Sequence, residues 1–210
     1  YSKEKSEKYA IQVAEGIYMH HEYVDSVFQQ VVNSKLLEKK EYKYSDLGYY
    51  LLHPVMENLC GQNLNEFTMN KFYKPLGLST MGFLPKERIQ KKQIVPTEFD
   101  YYFRSQLLQG DVHDMGAAMF GGVAGHAGLF SNANDLAIFM QMYLQGGEYA
   151  GERYFEKTTL EEFTKCQFCE DENRRGAGFD KAALSNQEGG PACDCAPSPN
   201  AFGHSGFTGT

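Results

Sequence analysis

Three stretches of this 210-residue chain carry side chains that could do chemistry. The first is Tyr44-Ser45-Asp46. A tyrosine just ahead of a helix can aim its phenol into a cleft while the following residue caps the helix. Such a phenol acts as a general base only where a nearby cation lowers its pKa from about 10. The same triplet also reads as an aromatic followed by a routine Ser45 cap. The second stretch is His204-Ser205-Gly206. Histidine can hold a carboxylate or steer a proton, and glycine lets a substrate approach the backbone. A turn in a glycine-rich tail is the plainer reading. The third is residues 121–131, Gly-Gly-Val-Ala-Gly-His-Ala-Gly-Leu-Phe-Ser. No Gly-Lys-Ser/Thr ends it and no strand pattern precedes it, which excludes a P-loop and a dinucleotide fingerprint. It reads as a packed loop wedged under a helix, with His126 a hydrogen-bonded structural residue.

Helices must position these groups. Apolar residues at Tyr23, Val24, Val27, Phe28, Val31 and Val32 fall on one face, predicting a helix within residues 22–37. Ser45 caps a second through Leu47, Leu51, Val55 and Leu59, stopped by Gly61, with a kink or break at Pro54. Asn63 caps a third through Leu64, Phe67 and Phe72, ended by Pro75 and Gly77. Residues 78–130 look loop-rich. Within them, residues 116–129 hold five glycines, so backbone is expected to pack closely there. Ser131 caps a helix through Leu136, Phe139, Met140, Tyr143 and Leu144, ended by Gly146-Gly147. Thr158 with Glu161 reads as a capping box for one more. Strand signals are few and no internal repeat is visible.

Composition narrows the function classes. The chain is 42% hydrophobic with 15 Phe and 14 Tyr, too apolar for a wholly disordered polymer. No run approaches 18 apolar residues, so no membrane span is expected. Twenty basic against 27 acidic residues give a net charge of −7, a poor match to nucleic acid or anionic membranes. Residues 1–8 form a solvated charge run without a leader pattern, and residues 203–210 close on a glycine-rich turn. A piece of a larger protein is expected, whose uncovered apolar surface would drive self-association.

The five cysteines fall as Cys166-x-x-Cys169, Cys193-x-Cys195 and a lone Cys60. The first four could hold a structural zinc, remain free thiols, or form a disulfide between the pairs. They sit in a polar excursion or insertion over residues 166–201.

In order along the chain, the Tyr-x-Asp triplet, the "Pro-Leu-Gly-Leu…Thr-x-Gly-Phe" segment, "Gly-His-Ala-Gly-Leu-Phe-Ser-x-Ala-x-Asp-Leu-Ala" and His-x-Gly resemble the serine β-lactamase and penicillin-binding-protein-like hydrolases. The closest branch is that of class C β-lactamases, D-aminopeptidases and esterases. The matching stretches are residues 44–61, 73–83, 121–147 and 203–210. The wording around Asp100-Tyr101-Tyr102-Phe103-Arg104 and Val112-His113-Asp114 more loosely resembles a set in which such a domain follows a family 3 glycoside hydrolase in one polypeptide.

The resemblance implies an α+β, β-lactamase/transpeptidase-like parent, with residues 1–210 mainly its helical part and few strands. It implies serine chemistry without a cofactor, so any zinc here would be structural. It implies a small-molecule or peptide substrate and an exported or periplasmic setting. The family uses Ser-x-x-Lys for the acylated nucleophile, Tyr-x-Asn for proton transfer and Lys-Thr-Gly to hold the substrate carboxylate beside the oxyanion site. Tyr44 matches the proton-moving tyrosine, Asp46 stands where Asn is usual, and His204, Ser205 and Gly206 match Lys-Thr-Gly. Asp for Asn and His for Lys lean away from β-lactam hydrolysis and towards an esterase or peptidase. The one Ser-x-x-Lys, Ser2-Lys3-Glu4-Lys5, lies in the charge run rather than at the head of a buried helix. The nucleophile-bearing part and the closing strands are therefore expected outside this chain, leaving it inactive alone. A catalytically silent binding or scaffolding module beside another enzyme is the alternative.

Overall fold

The computed structural model describes residues 1–39, 41–171, 173–182, 198 and 200–209. The chain divides into two units, Tyr1–Ile138 and Phe139–Thr210.

The first unit opens with a hairpin of β1 (Ile11–Ala14) and β2 (Ile17–Met19), antiparallel with Ile11 opposite Met19. Gly16, at φ +66°, makes the turn. Val13 and Met19 from this hairpin pack with Val112, Ala117, Ala118 and Ala124 to form the core. Helix α1 (Tyr23–Val32) ends where Asn33 Nδ2 donates to the Gln29 carbonyl at 2.7 Å. Helix α2 (Leu47–Cys60) stops at Gly61, left-handed at φ +64°. It continues through Pro54, so of the kink or break expected there the break does not occur: the ring removes one N–H donor while the turns on either side still close. Its cap lies one residue later than expected. Asp46 is the N-cap, without a side-chain bond, and Ser45 Oγ instead accepts from Leu47 N at 3.2 Å.

Helix α3 (Leu64–Thr68) is capped as its sequence predicts, Asn63 Oδ1 accepting from Glu66 N at 2.9 Å. It runs on as a π-helical turn over Met69–Tyr73. β3 (Phe99–Asp100) and β4 (Gln106–Leu107) pair antiparallel. Between them Asp100 and Arg104 form a buried clamp: Arg104 Nε donates to Asp100 Oδ2 at 2.6 Å, and Nη1 to the Val112 carbonyl at 2.6 Å. The short helix α4 (Met115–Met119) follows, then α5 (Ala133–Leu144). The cap ahead of α5 is Asn132, whose Oδ1 accepts from Asp135 N at 2.8 Å, and Ser131 only donates to the Asn132 carbonyl. Asp135 itself reaches back 55 residues to accept from Thr80 N and Thr80 Oγ1, at 2.6 and 2.8 Å.

In the second unit β5 (Glu148–Tyr149) and β6 (Glu152–Arg153) form a hairpin, and α6 (Lys157–Thr164) follows. Glu156 precedes α6 without a side-chain cap, so Thr158 lies inside the first turn rather than at a capping box. β7 (Asp180–Lys181) pairs with β8 (Phe202–Gly203), Asp180 opposite Gly203. Among the described residues all strand pairs are short, two-stranded and antiparallel, so the chain is mainly helical with few strands. Among the described residues, no helix is long and apolar enough to cross a membrane.

Candidate functional site

The Tyr-x-Asp triplet sits where α2 begins. Tyr44 precedes the helix and is 61% exposed. Asp46 occupies the cap position and faces two residues from the glycine-rich region, Asp114 and His126. One ligand atom from each of the three lies within 4.8 Å of the others, the arrangement that could hold a cation. Two of these residues are already engaged with each other. Asp114 caps α4, its Oδ1 accepting from Ala117 N at 2.6 Å, and the same oxygen meets His126 Nε2 at 2.8 Å. The His126 side chain is only 3% exposed, and its Nδ1 is buried with no hydrogen-bond partner among the described residues. His126 is thus hydrogen-bonded, as its sequence context suggested. Burial alone would raise the Asp114 carboxyl, but hydrogen bonds from His126 and the Ala117 amide outweigh it and hold the group below its ordinary value.

Glycines let this loop reach α2. A Cβ on Gly116 would lie 1.7 Å from the Tyr50 hydroxyl, and one on Gly125 would lie 3.1 Å from the Tyr49 carbonyl. The Tyr50 ring in turn covers His126, centroids 4.5 Å apart. Burial first, and then the Asp114 and Asp46 charges, push the Tyr50 phenol up to about 12. Tyr50 therefore stays protonated at neutral pH and packs here against His126 and Phe120.

His204-Ser205-Gly206 lies in the second unit, directly after β8, and all three residues are exposed. The expected strand ends at Gly203, and the triplet continues as coil. His204 Nδ1 is 2.8 Å from the Ser205 carbonyl, and Nε2 is 3.5 Å from Arg175 Nη1. The structure thus brings Asp46 to Asp114 and His126, and His204 to Arg175.

Ser2 is not on a helix. It makes a bridge with Tyr18, Ser2 N donating to the Tyr18 carbonyl at 2.8 Å, and its Oγ accepts from Glu4 N at 3.1 Å. Cys166 and Cys169 are joined as a disulfide, Cα atoms 5.8 Å apart. Those two sulfurs are then not thiolate ligands for zinc, and no bond is left for a disulfide between the pairs. Cys193 and Cys195 lie outside the described residues, and Cys60 is a free thiol.

Sequence reasoning gave no role to Tyr50, Asp114 or Arg175. Asp114 had a local signal, since it heads Met-Gly-Ala-Ala as a cap would. Tyr50 and Arg175 had none, because their partners are distant in sequence.

Comparison with known proteins matches residues 9–210 to the family model described as Beta-lactamase. A protein of Escherichia coli (strain K12), provisionally named a D-alanyl-D-alanine carboxypeptidase, is 36% identical over 179 residues, 80% of this chain and 40% of its own length. The N-acetylmuramyl-L-alanine amidase of Bacillus subtilis (strain 168) is also 36% identical, with the same coverage. The chain thus spans about 40% of the length of these relatives. Among solved structures, a protein from Bacteroides dorei DSM 17855 provisionally described as a beta-lactamase is 13% identical. It superposes with a TM-score of 0.47, over 77% of this chain and 37% of that one. With the family model spanning nearly all of its residues, this chain belongs to the beta-lactamase family.

Proposed function

We propose that this chain serves in a serine hydrolase that cleaves amide or ester bonds through an acyl-enzyme, on peptides derived from the cell wall. The observation that carries the reading is the family match across residues 9–210, with Tyr44-Ser45-Asp46 and His204-Ser205-Gly206 in the family's order. The names of the Escherichia coli and Bacillus subtilis relatives support the substrate class. In this reading a serine oxygen attacks the carbonyl and the leaving amine or alcohol departs with a proton. Water then releases the acid. Tyr44 moves the proton, Asp46 flanks it, and His204 to Gly206 hold the substrate. The extended, bridged setting of Ser2 argues that the Ser-x-x-Lys helix comes from elsewhere in the full-length polypeptide, leaving these 210 residues inactive alone. Asp46 and His204 favour an esterase or peptidase over a β-lactam hydrolase. The same two departures also favour a silent module as the second reading.

Intact mass after incubation with a fluorescent penicillin or an activated ester tests both. The expected result is an adduct on a serine outside residues 1–210 in the full-length polypeptide, and none on this chain. An adduct on Ser2 overturns the placement of the nucleophile. No adduct on the full-length protein favours the silent module.

A further inference from the structure

Two of the cysteines are joined in a ring that no step of the hydrolase reading uses. Cys166 and Cys169 follow directly on the end of α6, and their bond closes a small loop of the C-x-x-C spacing. The two sulfurs differ in setting. Cys169 opens a single 3-10 turn, Cys169–Asp171, and is exposed, as are Phe168 and Glu170 on either side of it. Cys166 is half-buried, and its Sγ lies 3.4 Å from the Asn173 carbonyl oxygen. A disulfide sulfur has no hydrogen to donate, whereas a thiol has one. That carbonyl is therefore a partner which only the reduced Cys166 can use, and the same setting accommodates the sulfur in both states. An exposed disulfide is the labile kind, and the C-x-x-C spacing favours the thiolate of one of its cysteines.

The ring is tied to the chain that leads into β7. Its two inner residues hold that chain: Gln167 N donates to the Arg175 carbonyl at 2.9 Å, and the Phe168 carbonyl accepts from Asn173 N at 3.2 Å. Just beyond, Ala177 N donates to the Phe163 carbonyl at 2.8 Å, and a Cβ on Gly176 would lie 2.5 Å from that same oxygen. Residues 173–177 thus lie tightly along residues 163–168. Asp180, which accepts from Arg174 Nε at 3.1 Å, then pairs in register with Gly203 of β8. Closing the ring fixes Gln167 and Phe168, and through them the entry to the β7–β8 ladder.

We propose that Cys166–Cys169 is a thiol–disulfide exchange site for a dithiol reductant: Cys169 is the sulfur attacked, Cys166 is the thiol released, and opening the ring loosens residues 173–177. A thiolate of the dithiol bonds to Cys169 Sγ as the bond to Cys166 breaks. Cys166 leaves as a thiolate, takes a proton and donates it to the Asn173 carbonyl as a hydrogen bond. The second sulfur of the reductant then displaces Cys169, which takes the second proton. The pair gains two electrons and the dithiol ends as a disulfide. None of this chemistry depends on the hydrolase reading.

The full-length polypeptide, purified without reductant, tests it. One sample is treated briefly with glutathione at pH 7 and another with dithiothreitol, each without denaturant; both are quenched in acid, alkylated and mapped by mass spectrometry. Before treatment the Cys166–Cys169 bond should be found intact. Glutathione should join Cys169 about tenfold more often than Cys166, and dithiothreitol should free both thiols. In the reduced protein, hydrogen exchange of residues 173–177 should quicken by about fivefold or more, with the β1–β2 hairpin unchanged. A bond that reduces only in denaturant, a pair found free or joined to other cysteines before treatment, or glutathione chiefly on Cys166 overturns the proposal. So does exchange of residues 173–177 that ignores the redox state. Loss of protection in the hairpin as well overturns it too, since the bond is then a staple for the whole fold rather than an exchange site.

Discussion

Replacing Asp100 by asparagine tests the buried clamp that ties β3 to the core of the first unit. The Arg104 side chain is 1% exposed and that of Asp100 is 3% exposed. Asp100 accepts from Arg104 Nε at 2.6 Å and from the backbone N–H groups of Tyr102, Phe103 and Arg104 at 2.9, 2.8 and 3.1 Å. Burial by itself would raise the carboxyl, but the Arg104 guanidinium and these amides outweigh it and hold it at about 2, against 3.8 for the free group. That separation corresponds to about 2 kcal/mol of pH-dependent stability. Because the folded value lies below the unfolded one, this contribution is present above pH 3.8 and is lost as pH falls towards 2. By pH 3 about 1 kcal/mol of it is gone. Asp100→Asn keeps the shape but removes the charge, leaving Arg104 a buried cation with a weakened partner, at a cost of about 3 kcal/mol at pH 7. Urea unfolding of both proteins at pH 7, 5, 4 and 3 measures the gap. It should narrow by about 1 kcal/mol between pH 7 and pH 3. A gap that stays constant across the range, or an asparagine variant as stable as the parent, would refute the reasoning.

Other positions yield sharper structural tests. Asn63→Ala removes the α3 cap and should cost about 1 kcal/mol in chemical denaturation, with Asn63→Ser recovering most of it. Asp135→Ala strands the Thr80 and Met81 amides and the Thr80 hydroxyl, and should lower stability by about 2–4 kcal/mol, more than Asp135→Asn. Gly128→Ala places a Cβ 2.5 Å from the Gly122 carbonyl oxygen at φ +109°, and should cost about 3 kcal/mol or more in the same assay. Helix α2 buries none of its residues fully, and Leu59 is 82% exposed, so the isolated 210-residue chain is expected to self-associate in sedimentation velocity at high concentration. A clean monomer there would count against that surface being sticky, and Leu52→Ser with Leu59→Ser should weaken any association that is seen.

Much of the helical layout was legible in the residues. The apolar spacing of α1 and α2, the Asn63 cap and the Gly61 and Gly146-Gly147 stops are all local signals, settled within one or two turns of chain. Where local cues competed, they misplaced details by a residue. Ser45 and Ser131 looked like caps, yet Asp46 and Asn132 took those positions, because the backbone geometry of the entering segment picks among neighbouring polar residues. The β1–β2 hairpin went unread although Glu15-Gly16 separates two short apolar runs. Strands of three and four residues carry too little periodicity to stand out.

The two candidate triplets were legible as ordered motifs, and their order pointed to the family that residues 9–210 match. What surrounds them was decided by tertiary structure alone. Nothing local predicts that Asp114 and His126, twelve positions apart, share a hydrogen bond beside Asp46, or that Arg175 reaches His204 across 29 positions. Nor does a lone Asp and Arg four apart announce a pair shut away from water. Helix period and capping depend on neighbours in sequence, so the chain specifies them as it is read. Charge pairing and burial depend on which distant segments the packed core brings together, so they exist only once the chain has folded.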